Sequence, residues 1–274
     1  MRKPLAAVIV AWAVAGAATA PAAAAMAAEP TLKTVSLAGT VALSNCSGSV
    51  VRFPDSVDTD PALVLSNGHC SSLLNPGVVI TDRPVNRPFS LLDSSGAQVA
   101  TLKAEKLIYA TMTDTDVAIY QLTTTYEAIK SSYGVSALTV RDEHPTAGTA
   151  VTVASGAWKK LLDCNIDGFV YRLKEGEWTW KDSVRYTSAC QTVGGTSGSP
   201  VIDQSTGEVV AVHNTGNENG ASCTRDNPCE VDARGNVTVR KGINYGQQIY
   251  QIPACFTTGN QLDLSAAGCT LPKP

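Results

Sequence analysis

The sequence predicts an all-β protein, either a barrel or a sandwich. Short runs of apolar and β-branched residues recur along the chain, separated by glycine, proline, asparagine and aspartate. Strands do not alternate with long amphipathic helices, and only Tyr126–Tyr133 has a helix-forming composition. The predicted strands are Val35–Leu43, Ser49–Phe53, Ala62–Leu65, Val78–Ile80, Val99–Leu102, Val117–Leu122, Ala150–Val153, Phe169–Leu173, Pro200–Ile202, Val209–His213 and Val237–Tyr245.

The first 28 residues have the composition of a secretory signal peptide. Arg2 and Lys3 form a basic start, an almost wholly apolar stretch follows, and Ala25-Met26-Ala27 is a small-x-small cleavage site. The apolar segment approaches membrane-spanning length, but its alanine-rich composition and terminal position favour a removable signal over a membrane span. We therefore expect a secreted chain that has no membrane association once the signal has been removed.

A polar stretch divides the mature chain into two β-rich parts. Residues 29–125 form the first part, and residues 126–145, where the composition turns polar, form a linker that includes the predicted helix. Residues 146–252 form the second part, and residues 253–274 are a tail with little apolar content. The mature chain is long enough for one large β domain or for two small barrels.

The cysteines and the charge exclude several classes of function. Eight cysteines follow the signal segment, and an even number in an exported chain predicts four disulfides. The sequence has no CxxC pair and only three histidines, so we expect no metal, and we expect no other cofactor. The formal net charge is −3 and no lysine or arginine cluster is present, which excludes a typical nucleic-acid-binding protein.

Three segments carry the residue types that covalent hydrolysis needs. The segment Gly194–Pro200 places Ser197 in a glycine-flanked turn, while His69 and Asp116 each lie at one end of an apolar run. A serine hydroxyl becomes a good nucleophile when an imidazole accepts its proton and a carboxylate holds that imidazole in one tautomer. Each residue alone also has an ordinary structural explanation. Asp114 and Ser199 are the nearest alternatives for the carboxylate and the nucleophile.

The order histidine, aspartate, serine resembles that of the chymotrypsin-like serine proteases. The loop around Ser197 is similar to the Gly-x-Ser-Gly-Ser-Pro loop of their smaller bacterial branch, and the resemblance covers about residues 34–252. It implies two six-stranded antiparallel β-barrels, at residues 29–125 and 146–252, with the active site in the cleft between them. It further implies Ser197 as nucleophile, His69 as base and Asp116 as the group that orients His69.

The resemblance also implies an oxyanion hole and a disulfide framework. The backbone amides of Gly195 and Ser197 match the family's oxyanion donors. A Cys46–Cys70 bridge, equivalent to one in the family, would fix the loop that carries His69. Proximity along the chain suggests three further pairs but leaves the connectivity open: Cys164–Cys190, Cys223–Cys229 and Cys255–Cys269.

Two positions depart from the digestive members of the family. Thr196 replaces the aspartate that pairs there with a newly formed N-terminus, and no Ile-Val-Gly-Gly start is visible, so that activation switch is not expected. Gln191 replaces the carboxylate of the trypsin-like primary pocket, so a lysine or arginine preference built in that way is not expected.

The specificity positions resemble those of glutamyl endopeptidases. Thr192 and His213 fall where those enzymes bind a substrate carboxylate, and Arg240 and Lys241 would add positive potential. The alternatives are a His213 that only packs in its strand, a broad specificity, or a lysine preference that uses the acidic segment Asn217–Asp232.

The sequence therefore predicts a secreted serine endopeptidase that acts on polypeptides through an acyl-enzyme, and the resemblance to glutamyl endopeptidases implies a preference for glutamate. Asn214-Thr215-Gly216 match the family's segment that pairs with the substrate main chain, which favours a peptidase over an esterase with the same triad. A non-catalytic binding or adhesion module of the same fold is the alternative from another class. We expect the protein to be a monomer.

Overall fold

The N-terminal half folds into a closed antiparallel ring of six strands. The computed structural model describes residues 32–274, so the signal peptide expected at residues 1–28 and its cleavage site lie outside the described residues. The strands are β1 (Thr40–Ala42), β2 (Ser47–Arg52), β3 (Pro61–Ser66), β4 (Val79–Leu92), β5 (Gln98–Thr111), β6 (Val117–Thr125) and β7 (Leu138–Thr139). They pair in the order β1-β4-β5-β6-β3-β2, and β1 pairs with β2 to close the ring. Strand β7, from the linker, pairs in parallel with β2.

The C-terminal half forms a second ring of six strands. Its strands are β8 (Ala150–Ser155), β9 (Lys160–Glu175), β10 (Trp178–Tyr186), β11 (Pro200–Asp203), β12 (Val209–Gly216), β13 (Cys229–Val231), β14 (Val237–Thr238) and β15 (Asn244–Gln248). The ring order is β10-β15-β12-β11-β8-β9, closed by the β9–β10 hairpin, and β13 and β14 extend the sheet beyond β9. The predicted double-barrel fold is confirmed.

Within residues 32–274, two α-helices interrupt the strands. Helix α1 (Gly68–Ser71) follows β3 and contains His69. Helix α2 (Tyr126–Tyr133) has the bounds predicted from its composition. The Thr125 side chain accepts a hydrogen bond from the Ala128 amide at its N-terminus, and Gly134 ends it in the left-handed conformation. None of the helices within residues 32–274 has the length and apolar character required to cross a membrane.

Two predicted strands were wrong because only part of each apolar run pairs with a neighbouring strand. The run Val35–Leu43 was expected to be one strand, but only Thr40–Ala42 is extended, because the Thr40 amide closes a turn onto the Leu37 carbonyl. The run Val237–Tyr245 is two strands, β14 and β15, because the Ile243 amide closes a turn onto the Arg240 carbonyl.

Other strands are longer than predicted or were missed. Strands β4 and β5 were predicted only as Val78–Ile80 and Val99–Leu102, although each has 14 residues. Their polar central residues are held by cross-strand hydrogen bonds and are not part of an apolar run. Strand β10 was not predicted, although Trp178 and Trp180 alternate with more exposed residues, which is the period of a half-buried strand.

Two tryptophans of β10 connect the barrels. The Trp178 indole N–H donates to the Leu74 carbonyl at 2.7 Å, and the Trp180 indole N–H donates to the Met112 carbonyl at 3.1 Å. Both rings are buried in a core cluster that draws side chains from both barrels. The two acceptors lie in the segments that follow His69 and precede Asp116, so these bonds help to position both segments against the second barrel.

The C-terminal tail is fastened to the first barrel. It contains a 3-10 turn, the short hairpin β16 (Phe256–Thr257) and β17 (Gln261–Leu262), and the Cys255–Cys269 disulfide. Buried Asn260 donates from Nδ2 to the Pro61 carbonyl and to the Tyr126 hydroxyl, and its Oδ1 accepts from Ser56. The tail thereby closes one face of the first barrel.

Candidate active site

Asp116 holds His69 by two hydrogen bonds. Asp116 lies just before β6 and is fully buried, and its Oδ2 is 2.7 Å from His69 Nδ1. The other carboxylate oxygen accepts the backbone N–H of His69 at 3.0 Å, and Asn67 Nδ2 donates to the Asp116 carbonyl at 2.8 Å. The imidazole is therefore oriented through Nδ1, which leaves Nε2 as the nitrogen available for proton transfer.

The neighbouring aspartate and the nearby cysteines have structural roles. Asp114, the alternative carboxylate, is partly exposed and forms an ion pair with Lys181. Cys46 and Cys70 form a disulfide that joins the residue before β2 to the residue after His69. Sulfur and imidazole atoms of Cys46, His69 and Cys70 lie within 4.8 Å of one another, but the disulfide removes the thiolates that a metal would need.

The pKa of His69 lies above its usual value. Burial lowers the pKa, but the charge of Asp116 and its hydrogen bond raise it by more, and the charges of Glu175 and Asp226 contribute in the same direction. His69 thus becomes protonated at a higher pH than an ordinary histidine does.

Ser197 faces the same cavity as His69 but bonds elsewhere. Both residues line a cavity of about 280 Å³ between the barrels. The Ser197 hydroxyl donates to the Asn214 carbonyl at 3.0 Å, and within residues 32–274 the structure forms no hydrogen bond between Ser197 and His69. Ser199, the alternative nucleophile, is buried, and its hydroxyl donates to the Thr196 carbonyl.

The turn before Ser197 presents two backbone N–H groups. The Thr196 amide donates to the Val193 carbonyl at 3.0 Å, and Gly195 has a φ of 87°, a conformation that favours glycine. Within residues 32–274, neither the Gly195 amide nor the Ser197 amide donates a hydrogen bond. Both donors are therefore available to a ligand, as an oxyanion hole requires.

A tryptophan on the neighbouring hairpin holds this turn. The Trp158 indole N–H donates to the Gly194 carbonyl at 2.8 Å. That carbonyl belongs to the same peptide group as the Gly195 amide, so the bond fixes the direction in which the amide points. A Cβ atom on Gly195 would lie 3.1 Å from the Trp158 Nε1 atom, so the indole packs directly against this glycine.

A small cavity of about 70 Å³ lies beside Ser197. Thr192 lines it, and its hydroxyl donates to Asn244 Oδ1 at 2.7 Å, while Asn244 Nδ2 donates to the Cys190 carbonyl at 2.6 Å. Cys190 is bonded to Cys164, and the four disulfides of the structure are the four pairs named above. Gln191 does not line the cavity, and its side chain donates to the Ser188 carbonyl.

His213 also lines the small cavity, as a buried and neutral histidine. Burial lowers its pKa to about 3, with a smaller contribution from the charge of His69. Its Nδ1 atom is buried and has no hydrogen-bond partner among the described residues. Nε2 is therefore the nitrogen left for a bound side chain.

The charges around this cavity differ from the expected pattern. Arg240 was expected to add positive potential, but it forms an ion pair with Glu230 at 3.0 Å, and neither Arg240 nor Lys241 lines the cavity. Glu218 and Asp226, from the acidic segment, do line it.

One edge of β12 is available next to Ser197. Thr215 and Gly216 pair with Tyr245 and Asn244 of β15 on one edge of the strand. On the other edge the His213 amide bonds to the Ser199 carbonyl, and beyond it the described residues place no strand against Asn214–Gly216.

Comparison with known proteins assigns the family. Residues 46–212 match the trypsin-like peptidase domain. The chain belongs to this family. No curated protein sequence gives a significant match to the peptidase.

Several solved structures are similar to the peptidase. They include the inactive form of the Rv3671c protease of M. tuberculosis, with 16% identity over 79% of this chain and 86% of that one and a TM-score of 0.47. The MamO protease domain from Magnetospirillum magneticum has 13% identity over 78% and 93%, with a TM-score of 0.48. A Glu endopeptidase in complex with MPD has 15% identity over 77% and 85%, with a TM-score of 0.45.

Sequence reasoning missed three residues at the site of this peptidase. They are Ser47, which bonds to the turn before Ser197, Trp158, and Glu175, a buried acid in the larger cavity. Ser47 and Glu175 have no local signal, because each reaches the site only through barrel contacts distant in sequence. Trp158 stands in the short segment between β8 and β9. A tryptophan between two strands was the signal that the sequence offered, and the structure leaves this side chain half exposed.

We predict that Asp116→Asn lowers the pKa of His69. The charge of Asp116 is the largest of the causes that raise this pKa. Without it, the lowering of the pKa by burial is opposed much less. NMR titration of the imidazole in a Ser197→Ala background, which prevents self-digestion, measures this pKa. Asp114→Asn is the matched control, because Asp114 pairs with Lys181 instead. An equal shift in both variants would contradict the assignment of Asp116.

Proposed function

We propose that the peptidase is a secreted endopeptidase that cleaves peptide bonds with Ser197, His69 and Asp116. The observation that carries the proposal is the buried Asp116 carboxylate 2.7 Å from His69 Nδ1, in a cavity that Ser197 shares. A non-catalytic module of this fold would have no need of this buried pair beside a serine whose turn offers two free amides.

The reaction begins when the Ser197 hydroxyl leaves the Asn214 carbonyl and donates to His69 Nε2. His69 takes the proton as Ser197 Oγ attacks the substrate carbonyl carbon, and Asp116 stabilises the resulting imidazolium. The imidazolium then gives its proton to the leaving amine, and an acyl-enzyme remains. Water attacks the acyl-enzyme with His69 again as base, which releases the acid product and restores Ser197.

The negative oxygen of each tetrahedral intermediate binds to the amides of Gly195 and Ser197. These donors are fixed before the substrate arrives, so little reorganisation is needed when the charge develops. The Trp158 bond to the Gly194 carbonyl opposes rotation of the Gly194–Gly195 peptide, which would turn a carbonyl toward the intermediate.

The substrate main chain adds to the free edge of β12. An extended peptide can form a strand against Asn214–Gly216, which places its scissile carbonyl next to Ser197. This mode of binding uses amide groups of the substrate and therefore favours a peptide over a simple ester.

The four disulfides support export. Structural disulfides persist in oxidising compartments, and the basic and apolar N-terminal segment of the sequence is of the secretory type.

For the residue on the acyl side of the cut bond, we propose a preference for glutamate over aspartate. Thr192 and His213 both line the small cavity, and a neutral imidazole with its proton on Nε2 can donate to a carboxylate. Binding that carboxylate would also favour the protonated form of His213. The alternative is a lysine preference, which the presence of Glu218 and Asp226 around the same cavity favours.

We predict that Ser197→Ala lowers kcat by roughly a million-fold, as removal of the nucleophile does in subtilisin. Cleavage of an unfolded protein measures the loss. Ser199→Ala, the matched control, removes only a buried hydroxyl that bonds within the turn and should stay active. An organophosphonate should label Ser197 in the wild type, and stoichiometric labelling of Ser199 instead would refute the assignment.

We predict that Trp158→Phe lowers kcat by roughly ten-fold and leaves KM nearly unchanged. Phenylalanine keeps an aromatic ring but lacks the N–H that holds the Gly194 carbonyl, so the loss should appear where negative charge develops. A peptide aldehyde, which forms a tetrahedral adduct, should bind correspondingly more weakly. Tyr171→Phe, at an exposed position of β9, is the control. A change in KM alone would argue against this positioning role.

We predict that His213→Ala reduces cleavage after glutamate by roughly ten- to a hundred-fold, the value of one charged hydrogen bond. Cleavage after neutral residues should change much less. Digestion of a denatured protein mixture, followed by sequencing of the new termini, measures both. Termini mainly after lysine or arginine would overturn the glutamate assignment and point to Glu218 and Asp226, whereas a broad apolar preference would leave His213 as a packing residue.

A further inference from the structure

Glu175 is a buried carboxylate in the larger cavity of the active-site cleft. It ends β9, is only 6% exposed and lines the cavity of about 280 Å³ together with His69 and Ser197. The triad steps described above do not use it.

One oxygen of this carboxylate is unsatisfied. Glu175 Oε1 accepts the Asp226 amide at 2.9 Å, whereas Oε2 is buried and has no hydrogen-bond partner among the described residues. The Thr215 hydroxyl lies close enough to lower the pKa of Glu175, but it does not reach hydrogen-bond geometry. A buried carboxylate oxygen without a donor is costly, so a ligand that supplies a donor would be favoured here.

The surrounding charges favour a cation. Asp226 also lines this cavity, and burial, the largest cause, together with the charge of Asp226 raises the pKa of Glu175. Arg225 also lines this cavity, but its guanidinium lies over the Trp178 ring, 5.9 Å from the ring centroid, and within residues 32–274 it forms no ion pair with Glu175. A positive side chain would favour the ionised form of Glu175 and pair with it.

The position of the cavity identifies which substrate residue enters it. The larger and the smaller cavity share four lining residues, and the larger one extends toward His69. The shared residues are Ser197, Asn214, Thr215 and Asp226. Successive side chains of an extended peptide point to opposite faces. If one residue fills the small cavity beside Thr192, the preceding residue points toward His69 and Glu175.

We propose that Glu175 forms a subsite for a lysine or arginine side chain at the substrate residue immediately before the one in the small cavity. The proposal rests on the peptidase function proposed above and adds a second determinant of the cleaved sequence. Glu175 lines the larger cavity and not the small one, whereas Asp226 lines both.

The test uses quenched fluorescent peptides that differ at this one position. In every peptide the residue that enters the small cavity is the one after which the wild type cuts most often. The residue before it is varied and is lysine, arginine, norleucine or glutamate. Lysine and norleucine have similar length and differ in charge. For the wild type we expect kcat/KM to be roughly ten-fold or more higher with lysine or arginine than with norleucine, and lowest with glutamate.

Glu175→Gln should bring the lysine to norleucine ratio close to one. The amide keeps an oxygen for the Asp226 N–H, so the fold is perturbed little. Glu177→Gln, in the exposed turn of the same hairpin, is the matched control and should keep the wild-type ratio. A role of Glu175 in folding alone would lower all rates together and leave the ratio unchanged.

Each outcome decides the question. A wild-type ratio near one, with efficient cleavage, overturns the subsite and leaves the peptidase function intact; this arm does not depend on any variant folding. A high ratio that persists in Glu175→Gln overturns the role of Glu175. Failure of the wild type to cleave any peptide or denatured protein would refute the peptidase function and the subsite together.

Discussion

The bonds of Ser47 join the two barrels beside the cavity that Ser197 and His69 share. Its amide donates to the Ser197 carbonyl at 2.8 Å, and its carbonyl accepts the Ser66 hydroxyl at 2.8 Å. Its hydroxyl lies 3.2 Å from the Gly195 carbonyl and accepts the Ala157 amide at 3.1 Å. One buried residue of the first barrel therefore contacts both the turn that carries Ser197 and the hairpin that carries Trp158. The preceding residue, Cys46, is bonded to Cys70 beside His69, so the same short segment also holds the loop that carries His69.

This junction explains why the turn that carries Ser197 needs glycine. Gly198 has a φ of 83°, and a Cβ atom there would lie 2.1 Å from the Ser47 carbonyl oxygen. Any side chain would push the barrels apart and move Ser197 away from His69. Because the clash is with backbone, rotation of a side chain could not relieve it. Gly198 is thus required by the packing of the two barrels. Gly195 is required for a different reason, because its positive φ sets the direction in which its amide points.

The sequence predicted the parts of the site that have local signals. His69, Asp116 and Ser197 stand next to apolar runs or glycines in an order similar to one family, and helix α2 has the composition that its bounds require. The polar centres of β4 and β5 gave no such signal, because cross-strand pairing determines their conformation. Glu175 could not be predicted from the sequence, and the reason is related. Its importance lies in an oxygen without a donor, which is a property of the folded surroundings and not of the segment that contains it.

In the proposed mechanism, electrostatics connect catalysis to specificity in this cleft. Glu175 and Asp226 add to Asp116 in raising the pKa of His69, so the free enzyme has its base in the neutral form only above a raised pH. A cationic side chain bound at Glu175 would offset part of that negative potential and lower the pKa of His69 again. The base would then be neutral at lower pH in the substrate complex than in the free enzyme. A carboxylate that selects the substrate would thus also help to set His69 in its active protonation state once that substrate is bound.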